Sequence, residues 1–127
     1  MARPTSTQPT EVELQILKVL WEQGPSTVRE IHNRLSEDKD TQYATTVKML
    51  LVMLEKGLVT RDDSVRPQVY RALATQKRTQ RRMLEEMIQK VYDGSAKSLV
   101  LQVLSSSKTS PEDLEEIRQL LEELKRK

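Results

Sequence analysis

Two capping boxes, T-E-V-E at residues 10–13 and T-V-R-E at 27–30, leave little freedom in how the first third of this chain can fold. In such a box the Thr hydroxyl accepts from the backbone N–H three residues on, and the Glu there reaches back to the Thr N–H. Each box therefore predicts a helix start at a named residue. From Thr10 a helix carries Leu14, Leu17, Leu20 and Trp21 until Gly24-Pro25 stops it. Thr27 with Glu30 opens a short second helix bearing Val28, Ile31 and Leu35. SEDKDTQ is a polar connector into YATTVKMLLVMLEKGLVTRD, residues 43–62, which begins as a third helix and breaks at Lys56-Gly57. Beyond it, LVTRD and QVYRAL are rich in β-forming residues and flank a polar tip, DSVRP, which predicts a β-hairpin. Three helices followed by a hairpin is the winged helix-turn-helix order.

From residue 76 the pattern is helical again. Met83, Leu84, Met87, Ile88 and Val91 share one face, and Asp93-Gly94 ends that helix. SAKSLVLQVL follows as a short helix, apolar on most sides. Ser110-Pro111-Glu112-Asp113 then starts a last helix with a good N-cap, Pro at its first position and acidic charge on the helix dipole. Leu114, Ile117, Leu121 and Leu124 form its inner stripe, with Leu120 at the edge. The expected fold is mainly α: a disordered tail over 1–9, a winged-helix DNA-binding domain over 10–75 and a helical dimerisation region over 76–127. Residues 76–127 hold too little to close a core alone, because small helical units are marginal. Their apolar faces need another surface, either a second copy of the chain about a twofold axis or their own N-terminal domain. Met87, Val91, Leu99, Val103, Leu104, Leu114, Ile117, Leu121 and Leu124 are the candidate dimer contacts.

Composition excludes several classes. With no cysteine there is no disulfide and no thiolate metal site. The apolar runs are too short to span a bilayer and ARPTSTQPT lacks a signal-peptide core, so a cytoplasmic protein without membrane insertion is expected. The lone histidine, His32, has no evident carboxylate partner; no nucleophile-base pair and no glycine-rich phosphate loop is present, which argues against an enzyme and against a cofactor or metal. Net charge is +2, and residues 1–75 hold ten Lys/Arg against ten Asp/Glu, so non-specific attraction to nucleic acid is weak. The local excess is QKRTQRR, where Lys77, Arg78, Arg81 and Arg82 either contact phosphate or form a solvated helix start.

The third helix decides between readings. At 100° per residue, Val47, Leu50, Leu51 and Leu54 fall on the expected core side, and Gln42, Thr45, Met49, Val52 and Met53 point broadly away. Val52 and Met53 lie deep enough along the helix to be covered by protein, while Tyr43, Thr46 and Lys48 flank its start. Thr offers a hydroxyl and a methyl, Met a surface for the thymine methyl, and Gln can pair with adenine. Candidate DNA contacts are therefore Gln42, Tyr43, Thr45, Thr46 and Met49. Lys48, Arg61 and Arg66 are candidates for phosphates, and so are the backbone N–H groups at Thr27. For each a structural role competes: Thr45 or Thr46 as a helix cap, Met49 as core, Arg66 as a solvated tip.

ELQILKVLWEQGPSTVREI, YATTVKMLLVMLEKGLVTRD, QVYRA, DGSAKSLVLQVLSS and SPEDLEEIRQLLEEL, in that order, resemble the penicillinase-repressor family of bacterial transcription regulators, the BlaI/MecI/CopY group. The resemblance implies dimers of winged-helix repressors on twofold-symmetric double-stranded DNA operators. For some members it also implies release by proteolysis in the first dimerisation helix, driven by a membrane-bound metallopeptidase sensor of β-lactam. That region here is KSLVLQVL, with Gln102-Val103 where better-known members carry Asn-Phe. The copper-responsive branch uses C-terminal cysteine pairs, which this chain lacks, and Met53 stands where better-known members have a basic residue. Two other readings remain beside it: a winged-helix module for protein contact, and a repressor responsive to a small molecule.

Overall fold

The computed structural model describes residues 8–37, 40–106 and 108–127. Its elements run α1 (Glu11–Gln23), β1 (Ser26–Thr27), α2 (Val28–Ser36), α3 (Tyr43–Lys56), β2 (Val59–Asp62), β3 (Val69–Ala72), α4 (Gln76–Val91), α5 (Ala96–Ser106) and α6 (Pro111–Lys125). The three helices, the hairpin and the distal helices all stand where capping and β-propensity place them. The expected disorder over residues 1–7 and part of the SEDKDTQ connector lie outside the described residues. Gln8 is not loose: its carbonyl accepts from Lys56 Nζ at 3.3 Å.

Both capping boxes close. Glu13 N–H donates to Thr10 Oγ1 at 3.3 Å and Thr10 N–H to Glu13 Oε1 at 2.9 Å; the Thr27–Glu30 pair repeats this at 3.2 and 2.9 Å. Thr27 has a second task that its sequence context hid. With Ser26 it forms a two-residue edge strand paired antiparallel to β3, Ser26 opposite Tyr70 and Thr27 opposite Val69, giving the sheet order β1-β3-β2. α3 ends at Gly57, whose φ of 77° is left-handed backbone open to glycine at little cost. Leu58 N–H reaches back to Met53 O at 2.9 Å, closing the C-terminal turn and aiming the chain into β2.

The contacts divide the chain into two units, one through Met83 and one from Leu84 to Lys127. The first has a closed core: Ile16, Leu17, Val19 and Leu20 from α1, Ile31 from α2, Leu50 and Met53 from α3, Val59 and Tyr70 from the sheet. The second has no buried residue among those described; Met87, Val91, Val103, Leu114, Leu121 and Leu124 are exposed, and Leu99, Leu104 and Ile117 are half-buried. No described helix is long and apolar enough to cross a membrane.

One ion pair is buried in the first unit. Lys56 Nζ, at the end of α3, lies 2.6 Å from Glu13 Oε1 in the first turn of α1, with side-chain exposures of 10% and 5%. Burial pushes the Glu13 carboxyl upward, but the Lys56 ammonium and the Thr10 N–H outweigh it and hold the group below its ordinary 4.5. The folded state therefore binds this proton less readily than the unfolded chain. The stabilisation is complete above about pH 4.5 and lost as pH falls through the lower folded value. Lys56→Ala, which strands the carboxylate, should cost about 3–5 kcal/mol in urea unfolding at neutral pH, and Glu13→Gln with Lys56→Met should recover most of it. A loss below about 1 kcal/mol for Lys56→Ala would mean that the pair behaves as a solvated one.

Candidate nucleic-acid interface

α3 divides cleanly, but not along the line that periodicity suggests. Thr46, Leu50 and Met53 are fully buried, and Val47, Met49 and Leu54 are half-buried beside them. Thr45, Lys48, Leu51 and Val52 face outward, Leu51 at 47% and Val52 at 41% exposure. This corrects two assignments: Leu51 is surface rather than core, and Val52 is not covered. The burial expected for Met53 is observed. On a helix that is apolar nearly all round, angular arithmetic cannot choose between two adjacent stripes; the packing of α1 and α2 chooses.

Thr46, a predicted DNA contact, lies in the core instead. Its Oγ1 is 2.9 Å from His32 Nδ1, and His32 Nε2 is 3.2 Å from Ser36 Oγ. The Ser36 hydroxyl proton is committed to His32 O at 2.6 Å. In the neutral ring Nε2 then donates to Ser36 and Nδ1 accepts from Thr46. His32, unassigned by sequence, thus fixes the start of α3. Its ring also meets Tyr43 edge-on with centroids 5.3 Å apart, and the Arg29 guanidinium sits 4.1 Å over the Tyr43 ring. Arg29 is an exposed cation of α2 held at the mouth of α3 by cation–π attraction. Sequence reading missed it because its anchor lies on another helix.

The other predicted contacts fall in different places. Gln42, Tyr43, Thr45 and Lys48 are exposed together at the start of α3. Neither Thr45 nor Thr46 caps the helix, whose N-cap Gln42 makes no side-chain cap bond. Met49 is half-buried against the core. Thr27 offers less than expected, because its own N–H is taken by Glu30 and its hydroxyl by the Glu30 N–H. The Glu30 carboxylate, held below its ordinary range by these Thr27 bonds, would face an incoming phosphate there. Arg61 is bonded to Asp63 and Tyr70, which raise its pKa further, whereas Arg66 is exposed at the hairpin tip. Lys77, Arg78, Arg81 and Arg82 are exposed along the first turns of α4.

The arrangement presents a short polar and cationic stripe on a helix that is rigidly seated behind, which suits a nucleic-acid groove. The family model for the penicillinase repressor matches residues 9–123. The penicillinase repressor of Bacillus licheniformis is 27% identical over 118 residues, covering 93% of this chain and 92% of that protein. The methicillin resistance regulatory protein MecI of Staphylococcus aureus strain N315 is 22% identical over 112 residues, 88% of this chain and 91% of its own. MecI of Mammaliicoccus sciuri is 21% identical over the same coverage.

The two neighbouring threonines should separate in stability measurements. Thr46→Val, which leaves His32 Nδ1 without its donor, should cost about 1–2 kcal/mol, and Thr45→Val should stay within about 0.5 kcal/mol. Equal losses in urea titrations followed by Trp21 emission would contradict this seating of α3.

Proposed function

The chain belongs to the penicillinase-repressor family of transcriptional repressors, which are not enzymes, and from that premise we propose that it binds a twofold-symmetric operator as a homodimer. The observation that carries this reading is the split of α3: a buried Thr46–Leu50–Met53 side and an outward stripe starting at Thr45 and Lys48. In this reading residues 10–75 form the DNA-binding domain and 76–127 the dimerisation region. Gln42, Tyr43 and Thr45 approach base edges, while Lys48, Arg66 and Arg29 hold phosphates.

Dimerisation is supported by the unit from Leu84 onward, which fully buries none of its described residues while Val91, Leu101 and Leu124 are 67%, 56% and 54% exposed. Joining two heads makes the second half-site contact intramolecular, a gain on the order of 10²–10⁴ in favourable geometry. Release follows from losing that gain. A cut within α5, at Gln102-Val103 by the family-type membrane metallopeptidase sensor, would sever Val103, Leu104 and the whole α6 stripe from the DNA-binding head.

The test is a titration of the full chain against a duplex from its own promoter region. Thr45→Ala and Lys48→Ala should each weaken binding with melting temperature nearly unchanged. Lys48→Ala should also flatten the slope of log affinity against log salt by about 0.9 for each head engaged. Leu121→Asp with Leu124→Asp should sediment as a monomer at concentrations where the parent is dimeric. Unchanged binding by the first two variants would remove α3 from the interface, and an unchanged dimer would remove the α6 stripe from the pairing.

A further inference from the structure

The hairpin tip holds a contact that DNA binding does not explain. Arg61 on β2 and Tyr70 on β3 are cross-strand partners, and just beyond Arg61 the chain turns through Asp62, Asp63 and Ser64. Asp63 folds back on the arginine: Nε donates to Oδ1 at 2.5 Å and Nη2 to Oδ2 at 3.4 Å. Nη1 lies 3.5 Å from the Tyr70 hydroxyl. All three guanidinium nitrogens therefore hold an internal partner, and the Arg61 side chain is only 24% exposed. Gln68, across the tip, steadies the carboxylate by donating from Nε2 to Asp63 Oδ1 at 3.0 Å. Asp62 does a different job: its Oδ1 accepts from the Ser64 N–H at 2.9 Å and hydroxyl at 2.5 Å, which shapes the turn.

A carboxylate and a phosphodiester present the same face to a guanidinium: two oxygens sharing one negative charge, matched to the planar fork. We propose that Asp63 is a phosphate surrogate built into the wing, an autoinhibitory contact that competes with the DNA backbone for Arg61. The inference rests on the DNA-binding reading above. Asp63 holds the wing cation back, so that any duplex must displace the carboxylate before it gains the contact. A single head is thereby kept weak, and tight binding is left to two heads joined.

The neighbouring carboxylate supplies the control, since Asp62→Asn removes the same charge from the same tip while its amide oxygen can still accept from Ser64 and hold the turn that carries Asp63. Fluorescence anisotropy of the full chain is measured on a random-sequence duplex and on a duplex from its own promoter region. Asp63→Asn should bind the promoter duplex more tightly than Asp62→Asn by roughly three-fold for each head engaged. That excess should vanish in an Arg61→Ala background. Asp63→Ala, which removes the acceptor entirely, should show at least the same gain and covers the case in which Asn keeps a neutral bond to Arg61. Equal gains for the two positions, or a gain that persists without Arg61, would overturn the inference while leaving DNA binding intact. If the parent and every variant bind neither duplex, the DNA-binding reading fails and the surrogate with it.

Discussion

Everything the first unit can present depends on how α3 is seated. Leu50 and Met53 share one core with Ile16, Leu20 and Ile31, Thr46 is fully buried on the same side of the helix, and this rotates Thr45, Lys48, Leu51 and Val52 outward. Both ends of the helix are held. At its start the His32–Thr46 bond and the Arg29–Tyr43 stack tie it to α2. At its end Lys56 reaches the Glu13 carboxylate inside the first capping box, and Gly57 turns the chain into the wing. A helix fixed at three places gives up little further freedom on docking, and that preorganisation favours affinity.

The two units contrast in what they bury. The first closes its own core, its residues 1–75 hold as many acidic as basic side chains, and several of its cations are spent internally: Lys56 on Glu13, Arg34 on Glu22, Arg61 on Asp63. The second has no fully buried side chain among the described residues and exposes aliphatic side chains along the last turns of α4 and along α5 and α6. In the proposed dimer these properties complement one another. A head with little general attraction for a polyanion cannot hold a duplex well alone, and a helical arm with unburied leucines supplies the joining that makes two such heads sufficient.

Much of this architecture was legible because the signals are local. Thr10 with Glu13 and Thr27 with Glu30 mark helix starts within four residues of sequence, and Gly24, Gly57 and Ser110-Pro111 mark ends and beginnings as plainly. Long-range features were not legible. β1 is two residues long, too short for any periodicity, and its strand role is imposed by β3. The burial of Thr46 and the exposure of Leu51 depend on where α1 and α2 pack, which a helix apolar on most sides does not reveal. Arg29 and His32 gained their roles from Tyr43 and Thr46 on another helix. Arg61 and Asp63 were both visible, but the turn that brings the carboxylate onto the guanidinium was not.

In the proposed assembly two chains act as one reader of double-stranded DNA. Sedimentation velocity of the full chain at micromolar concentration, alone and with a twofold-symmetric duplex from its own promoter region, tests this most directly. A dimer is expected in the absence of DNA, and a complex of two chains per duplex in its presence. A folded monomer that sediments unchanged beside the duplex would contradict it.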